Sequence, residues 1–126
     1  MLFVLVVDDD PHIRTLVCRV LAKHGYATMP AVNGEDALAR MREHKPCVVI
    51  LDLQMPVVDG WEFRRRQLAD PSLAHVPVIC ITGYYDEADV FRRSGVECLN
   101  KPLQLSDLLR AVDKACGRDE AGAVGG

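Results

Sequence analysis

The chain has 126 residues, 49% hydrophobic and 26% charged, which suits one folded domain with a real core rather than a disordered or membrane-embedded chain. A formal net charge of −3, with no long Lys/Arg run, gives no footing for nucleic acid. Apolar runs stay short of the ~18 residues that a membrane span needs, and no basic leader with a cleavage site opens the chain, so a cytoplasmic protein without membrane contact is expected.

The elements follow in order. Phe3–Val7 is a short apolar run rich in β-branched residues, as expected of a buried strand. A helix comes next, with Asp10 as its cap, Pro11 in its first turn and Gly25 at its end. Ile13, Leu16, Val17, Val20 and Leu21 are assigned to its inner face. Tyr26–Ala31 is a weaker strand candidate, since Met29-Pro30 suits a strand near its end. Asn33 caps a second helix that turns Ala37, Leu38 and Met41 inward, and Cys47–Leu51 is the next strand. A third helix starts after Asp59-Gly60, carries the solvated basic stretch Arg64–Arg66 and ends near Ala69–Ser72. Val76–Ile81 is a strand, and Asp86–Ser94 a short helix with a weak apolar face of Ala88, Val90 and Phe91. Val96–Leu99 is the last strand. The last helix places Leu105, Leu108, Leu109, Val112 and Cys116 on one face, with Ser106 and Asp107 in its first turn.

Five strand–helix alternations predict an α/β fold, a doubly wound parallel sheet with helices on both faces and right-handed crossovers. Residues 1–117 read as one domain and 118–126, small and Gly-rich, as a flexible tail or linker stub. The five cysteines lie far apart without a C-x-x-C pair, and Cys18, Cys47, Cys80 and Cys116 read as reduced core residues. The four histidines, His12, His24, His44 and His75, read as surface residues. Trp61 reads as a packing residue placed to report on a nearby site by fluorescence.

In open α/β sheets, ligands bind beyond the carboxyl ends of the strands. There the sequence puts Asp8, Asp9 and Asp10 after the first strand, Asp52 after the third, Thr82 after the fourth and Lys101 after the fifth. One polar residue at a strand end only meets solvent; acids, a hydroxyl and an amine gathered from four ends form a site. Two carboxylates about 4 Å apart repel by roughly 4 kcal/mol at an effective dielectric near 20. A hard cation such as Mg²⁺ reverses that sign and leaves room for phosphate oxygens in its shell. Lys101 and Thr82 suit the equatorial oxygens of a transferring phosphoryl group. Asp52, on the central strand, is the candidate nucleophile, giving an aspartyl-phosphate. The Gly-rich patterns GxxxxGK and GxGxxG are both absent.

Taken in order, "VLVVDDDPHIR", "VVILDLQMPVVDGWEF", "VPVICITG" and "LNKPL" resemble the receiver domain of response regulators in two-component signalling, over essentially the whole chain. The resemblance implies a five-stranded parallel sheet in order 2-1-3-4-5 with five helices, a flavodoxin-like fold. It implies that Asp52 is the phosphoacceptor and that Mg²⁺ is held by Asp8, Asp9, Asp52 and the backbone carbonyl of Gln54. Thr82 becomes the switch hydroxyl and Lys101 the lysine that pairs with the phosphoryl group, with Pro102 completing a Lys-Pro step that is often cis. The implied partner is a sensor histidine kinase or histidine phosphotransfer protein, acting on a monomer or weak homodimer that passes the signal to an output partner. The chain is then a regulatory phosphoacceptor rather than an enzyme.

Two departures stand out. The family's usual aromatic switch residue, three positions before the lysine, is Cys98 here, and the stretch from Thr82 to Lys101 is shorter than usual by about one helical turn. A short or atypical fourth helix is expected, with Tyr84 or Tyr85, in "TGYY", as candidates to replace the aromatic. Three other functions compete. A degenerate receiver would bind partners without phosphorylation. A Mg²⁺-dependent phosphohydrolase would need a second acid where Gln54 stands. In an FMN protein, the acidic strand ends would repel the cofactor's phosphate.

Overall fold

Strand formation follows from burial on both faces. The computed structural model of the chain describes residues 3–54 and 59–118. Its elements run β1 (Phe3–Val7), α1 (Pro11–Lys23), β2 (Ala27–Ala31), α2 (Gly34–Glu43), β3 (Val48–Asp52), α3 (Gly60–Ala69), β4 (Val78–Thr82), α4 (Tyr85–Arg93), β5 (Glu97–Asn100) and α5 (Leu105–Ala115). All strand pairs are parallel, in the order β2-β1-β3-β4-β5. Val4 to Val7 are virtually inaccessible to solvent, as are all the residues of β3 and β4. These strands are therefore continuous apolar runs rather than alternating ones.

Two layers of helix close the sheet. On one face α1 and α5 contribute Val17, Leu21, Leu108 and Val112 against Val4, Val6, Ile50 and Ile79. On the other, α2, α3 and α4 contribute Ala37, Leu38, Met41, Phe63, Ala88 and Phe91 against Leu5, Val7, Val49, Leu51 and Cys80. Caps mark the first three helix starts: Asp10, Asn33 and Asp59 each accept a backbone N–H of the first turn. Helix α4 has no side-chain cap and spans nine residues.

The structure moves several expected boundaries. β3, β4 and β5 each end one residue later than the apolar pattern suggests, because the ladder runs on through Asp52, Thr82 and Asn100; Asp52 pairs with Ile81 and Thr82 with Asn100. Leu16 faces solvent rather than the core, and so does Val90 on α4. Leu16 lies about 100° around the helix from Val17, off the centre of the buried stripe. Cys47 and Cys116, expected as reduced residues, form a disulfide with Cα atoms 5.1 Å apart. They are 69 positions apart in sequence, so spacing gives no hint of the pairing; the fold brings the start of β3 to the end of α5. Cys18, Cys80 and Cys98 are free. Of the expected tail, residues 119–126 lie outside the described residues; Arg118 sits with its guanidinium 4.5 Å over the Tyr26 ring and donates to the His24 carbonyl. Among the described residues, no helix is long and apolar enough to cross a membrane.

One glycine is fixed by close approach. A Cβ added to Gly60 would lie 2.8 Å from the Cα of Leu53 and 3.3 Å from the carbonyl oxygen of Asp52. The start of α3 therefore rests directly on the end of β3. Gly60→Ala is expected to cost about 1–3 kcal/mol of stability, in the range of an overpacked core, read as a lower midpoint in urea. Loop closure over 69 residues makes the Cys47–Cys116 bond worth about 4 kcal/mol. The Cys116→Ser variant is expected to unfold at lower denaturant by that margin, and reduction of the wild type to reproduce the loss.

Candidate functional site

The sheet delivers its polar residues to one edge. Asp8 follows β1 directly and is 4% exposed; its carboxylate accepts the backbone N–H of Asp10 at 2.9 Å. Asp10 itself accepts from the His12 N–H at 2.9 Å. It is therefore the helix cap, and the first two acids remain for the site. Asp9 is exposed. Asp52, the last residue of β3, is 3% exposed. Ligand oxygens of Asp8, Asp9 and Asp52 all lie within 4.8 Å of one another.

The cationic and hydroxyl partners come from the neighbouring strands. The Nζ of Lys101 is 3.6 Å from Oδ1 of Asp52. The Lys101 backbone N–H donates to the Thr82 carbonyl at 2.9 Å, so strand pairing itself carries the lysine to the site. Thr82 is fully buried, and its hydroxyl oxygen accepts the Tyr84 N–H at 3.1 Å. The hydroxyl proton stays free to be donated onward. The Lys101-Pro102 bond is cis.

Burial dominates the electrostatics. Desolvation lifts Asp8 from an ordinary carboxylate to a pKa of about 6; the Asp10 N–H opposes the rise and the Asp52 charge adds to it. Asp52 is also raised, first by burial, while the Gln54 N–H and Lys101 pull it back. Without a cation, then, the pair resists carrying two full negative charges at once. Three carboxylates with hard oxygen ligands, one amine and a hydroxyl fit a divalent oxygen-seeking ion and a phosphate group.

Gln54 has two contacts. Its backbone N–H donates to Oδ1 of Asp52 at 3.1 Å, and its side-chain amide reaches Glu87 on α4. Tyr84 and Tyr85 are 59% and 69% exposed; Tyr85 stands a turn ahead of Ala88, the first α4 residue to reach the core. Cys98 is buried beside Cys80, its register partner on β4. The aromatic contact at this edge is instead Trp61 on Phe91, ring centroids 4.3 Å apart.

Two residues escape sequence reasoning. Arg14 donates to the Asp8 carbonyl at 2.7 Å and fixes the turn after β1; its place one turn after the Asp10 cap was the available signal. Glu87 accepts from Gln54 and Trp61. A glutamate in a helix's first turn looks like an ordinary dipole-favouring charge, so no pattern marks it. The histidines stay clear of the acids, though His24 faces Asp113 at 3.2 Å at the opposite end of the sheet.

Comparison with known proteins bears on this site. The model of the response regulator receiver domain matches residues 4–113. The chain is 33% identical over 113 residues to protein PilH of Pseudomonas aeruginosa, covering 87% of this chain and 93% of PilH. It is 30% identical to the polar-differentiation response regulator DivK of Brucella anthropi, covering 90% and 95%. Among solved structures, the chemotaxis response regulator CheY4 of Vibrio cholerae superposes with a TM-score of 0.81 at 29% identity, over 91% of this chain and 98% of that one. The signal receiver domain of a signal transduction histidine kinase from Syntrophus aciditrophicus gives 0.82 at 29% identity, over 91% and 89%. The fold, a parallel sheet in order 2-1-3-4-5 with five helices, is thus shared with these solved structures, and the chain belongs to the response regulator receiver domain family.

Proposed function

We propose that the chain is a phospho-accepting receiver that takes a phosphoryl group from the phosphohistidine of a cytoplasmic sensor kinase or phosphotransfer protein onto Asp52. The observation that carries this reading is the buried Asp52 carboxylate, with a lysine amine 3.6 Å away and two further acids close by. In the transfer, a carboxylate oxygen of Asp52 attacks phosphorus. The bond from phosphorus to the donor imidazole nitrogen breaks, and the imidazole leaves with the electron pair. Lys101 neutralises charge on the phosphoryl oxygens, and the Thr82 hydroxyl donates to one of them. Asp8, Asp9, Asp52 and the Gln54 carbonyl would hold Mg²⁺. Its chemistry there is to offset the carboxylate and phosphoryl charges. The chain gains one covalent group and passes it on or loses it to water, as a regulatory acceptor rather than a turnover enzyme.

Two outcomes are expected. Incubated with Mg²⁺ and a small phosphodonor such as acetyl phosphate, the intact protein gains the mass of one phosphoryl group, and Asp52→Asn gains none. A wild type without added mass overturns the reading in favour of a binding module that is never phosphorylated, and Asp52→Asn with the same gain overturns Asp52 as the acceptor. The second outcome concerns pH. Because Asp8 keeps its proton up to about pH 6, cation binding must displace that proton. Apparent Mg²⁺ affinity should fall about tenfold per pH unit below that point and level off above it. Titration calorimetry at pH 5 and pH 7.5 measures the difference, and Asp8→Asn should abolish it with most of the binding.

A further inference from the structure

Helix α4 starts without a side-chain cap, yet its first turn is held from outside, and both holds belong to the acidic edge. The Tyr84 N–H is taken by the Thr82 hydroxyl oxygen at 3.1 Å. The Glu87 carboxylate accepts the Gln54 amide at 2.8 and 2.9 Å, and its Oε2 also accepts the Trp61 indole N–H at 3.2 Å. Gln54 meanwhile donates its backbone N–H to Oδ1 of Asp52. A single residue therefore spans from the phosphoacceptor to α4.

The same stripe of α4 carries a second contact. Phe91 lies four residues after Glu87, on the same helix face. It is 3% exposed and packs on the Trp61 ring. Glu87 and Phe91 thus grip the start of α3 with a carboxylate and a ring, one turn apart. The other charged side chains of α4, Asp86, Asp89, Arg92 and Arg93, are all exposed. Asp89 and Arg92 pair with each other at 3.5 Å, Arg92 also donates to the Cys98 carbonyl and to Asn100, and Asp86 is exposed.

We propose that Glu87 is a positioning residue that couples loading of the acidic site to α4, through Gln54 on one side and Trp61 on the other. This inference rests on the phosphoacceptor reading and adds a route for its regulation. Anything that recruits Asp52 Oδ1 competes with the Gln54 N–H and shifts the Gln54 backbone. Anything that recruits the Thr82 hydroxyl acts on the Tyr84 N–H. Both shifts reach the first turn of α4. Charge-assisted hydrogen bonds to one carboxylate transmit such a shift better than loose packing does. They lie at the surface, where each contributes little to folding, so Glu87 can be changed without losing the fold.

Trp61 is the only tryptophan in the chain, so its emission reports the surroundings of one ring, which contacts both Glu87 and Phe91. The full chain is loaded with Mg²⁺ and beryllofluoride, and Trp61 emission is followed together with the amide resonances of α4. The wild type is expected to change both. In Glu87→Ala the two changes should fall to about half or less, while the amide shifts around Asp8 and Asp52 persist. Glu87→Gln, which keeps an acceptor oxygen, should retain the response. So should Asp86→Ala, which removes a first-turn charge that makes no such bonds. A Glu87→Ala chain that loads and responds in full overturns the coupling alone. Equal losses in Asp86→Ala and Glu87→Ala overturn it too, by assigning the effect to helix-end charge. A wild type that shows no shift at the acidic site overturns the phosphoacceptor reading and the coupling with it.

Discussion

The whole edge of the sheet is organised around carboxylates that burial keeps out of water. Asp8 and Asp52 are each almost inaccessible, and a third acid, Asp9, lies beside them. In a hydrophobic protein interior this arrangement is unfavourable. It is tolerated because Asp9 meets solvent and each buried acid has a counterweight: the Asp10 N–H on Asp8, the Gln54 N–H and the Lys101 amine on Asp52. These counterweights fall short of full neutralisation, and both acids still hold protons more tightly than free carboxylates. The residual charge deficit is the capacity to bind. That residual negative charge suits a hard cation, and under the proposed function the Lys101 amine and the Thr82 hydroxyl meet the phosphoryl oxygens beside it.

The parallel sheet makes this economical. All five strands end at the same edge, and four of them, β1, β3, β4 and β5, deliver site groups there without a dedicated loop. The ladder continues through Asp52 and Thr82 as ordinary paired strand residues, so their positions carry the rigidity of the core. Lys101 follows β5 and is set by a main-chain hydrogen bond to Thr82. The resulting geometry owes little to side-chain flexibility, apart from the lysine stem. Gly60 extends the rigidity to α3, whose start touches the backbone of β3.

The parts of this design that were readable in the sequence are those that interrupt a pattern. Asp8, Asp52, Thr82 and Lys101 each break or follow an apolar run at a strand end, and a fold with parallel strands sends all such breaks to one side. Asp10, Asn33 and Asp59 were readable as caps because local hydrogen bonding alone decides them. β3, β4 and β5 run one residue past their apolar runs because pairing continues as long as a neighbour offers partners, whatever the polarity of the side chain. Glu87 was not readable: its meaning comes from Gln54 and Trp61, 33 and 26 residues away, and its local setting is that of any solvated helix-start acid. The Cys47–Cys116 bond was hidden for the same reason, since tertiary proximity leaves no mark on spacing.

That bond bears on how the last helix can move. Cys116 sits at the end of α5 and Cys47 at the base of the central strand, the far side of the molecule from Asp52. Helix α5 is thus tethered covalently at one end, while its other end follows closely on Lys101. A rod fastened at its foot cannot slide along the sheet as a whole; it can only pivot. A displacement imposed at the acidic edge would therefore become an angular swing of α5 about its C-terminal anchor, larger at Leu105 than at Cys116. Opening the disulfide would free the helix to translate instead. Under the proposed function, phosphoryl loading and thiol oxidation state would then act as lever and fulcrum on one element.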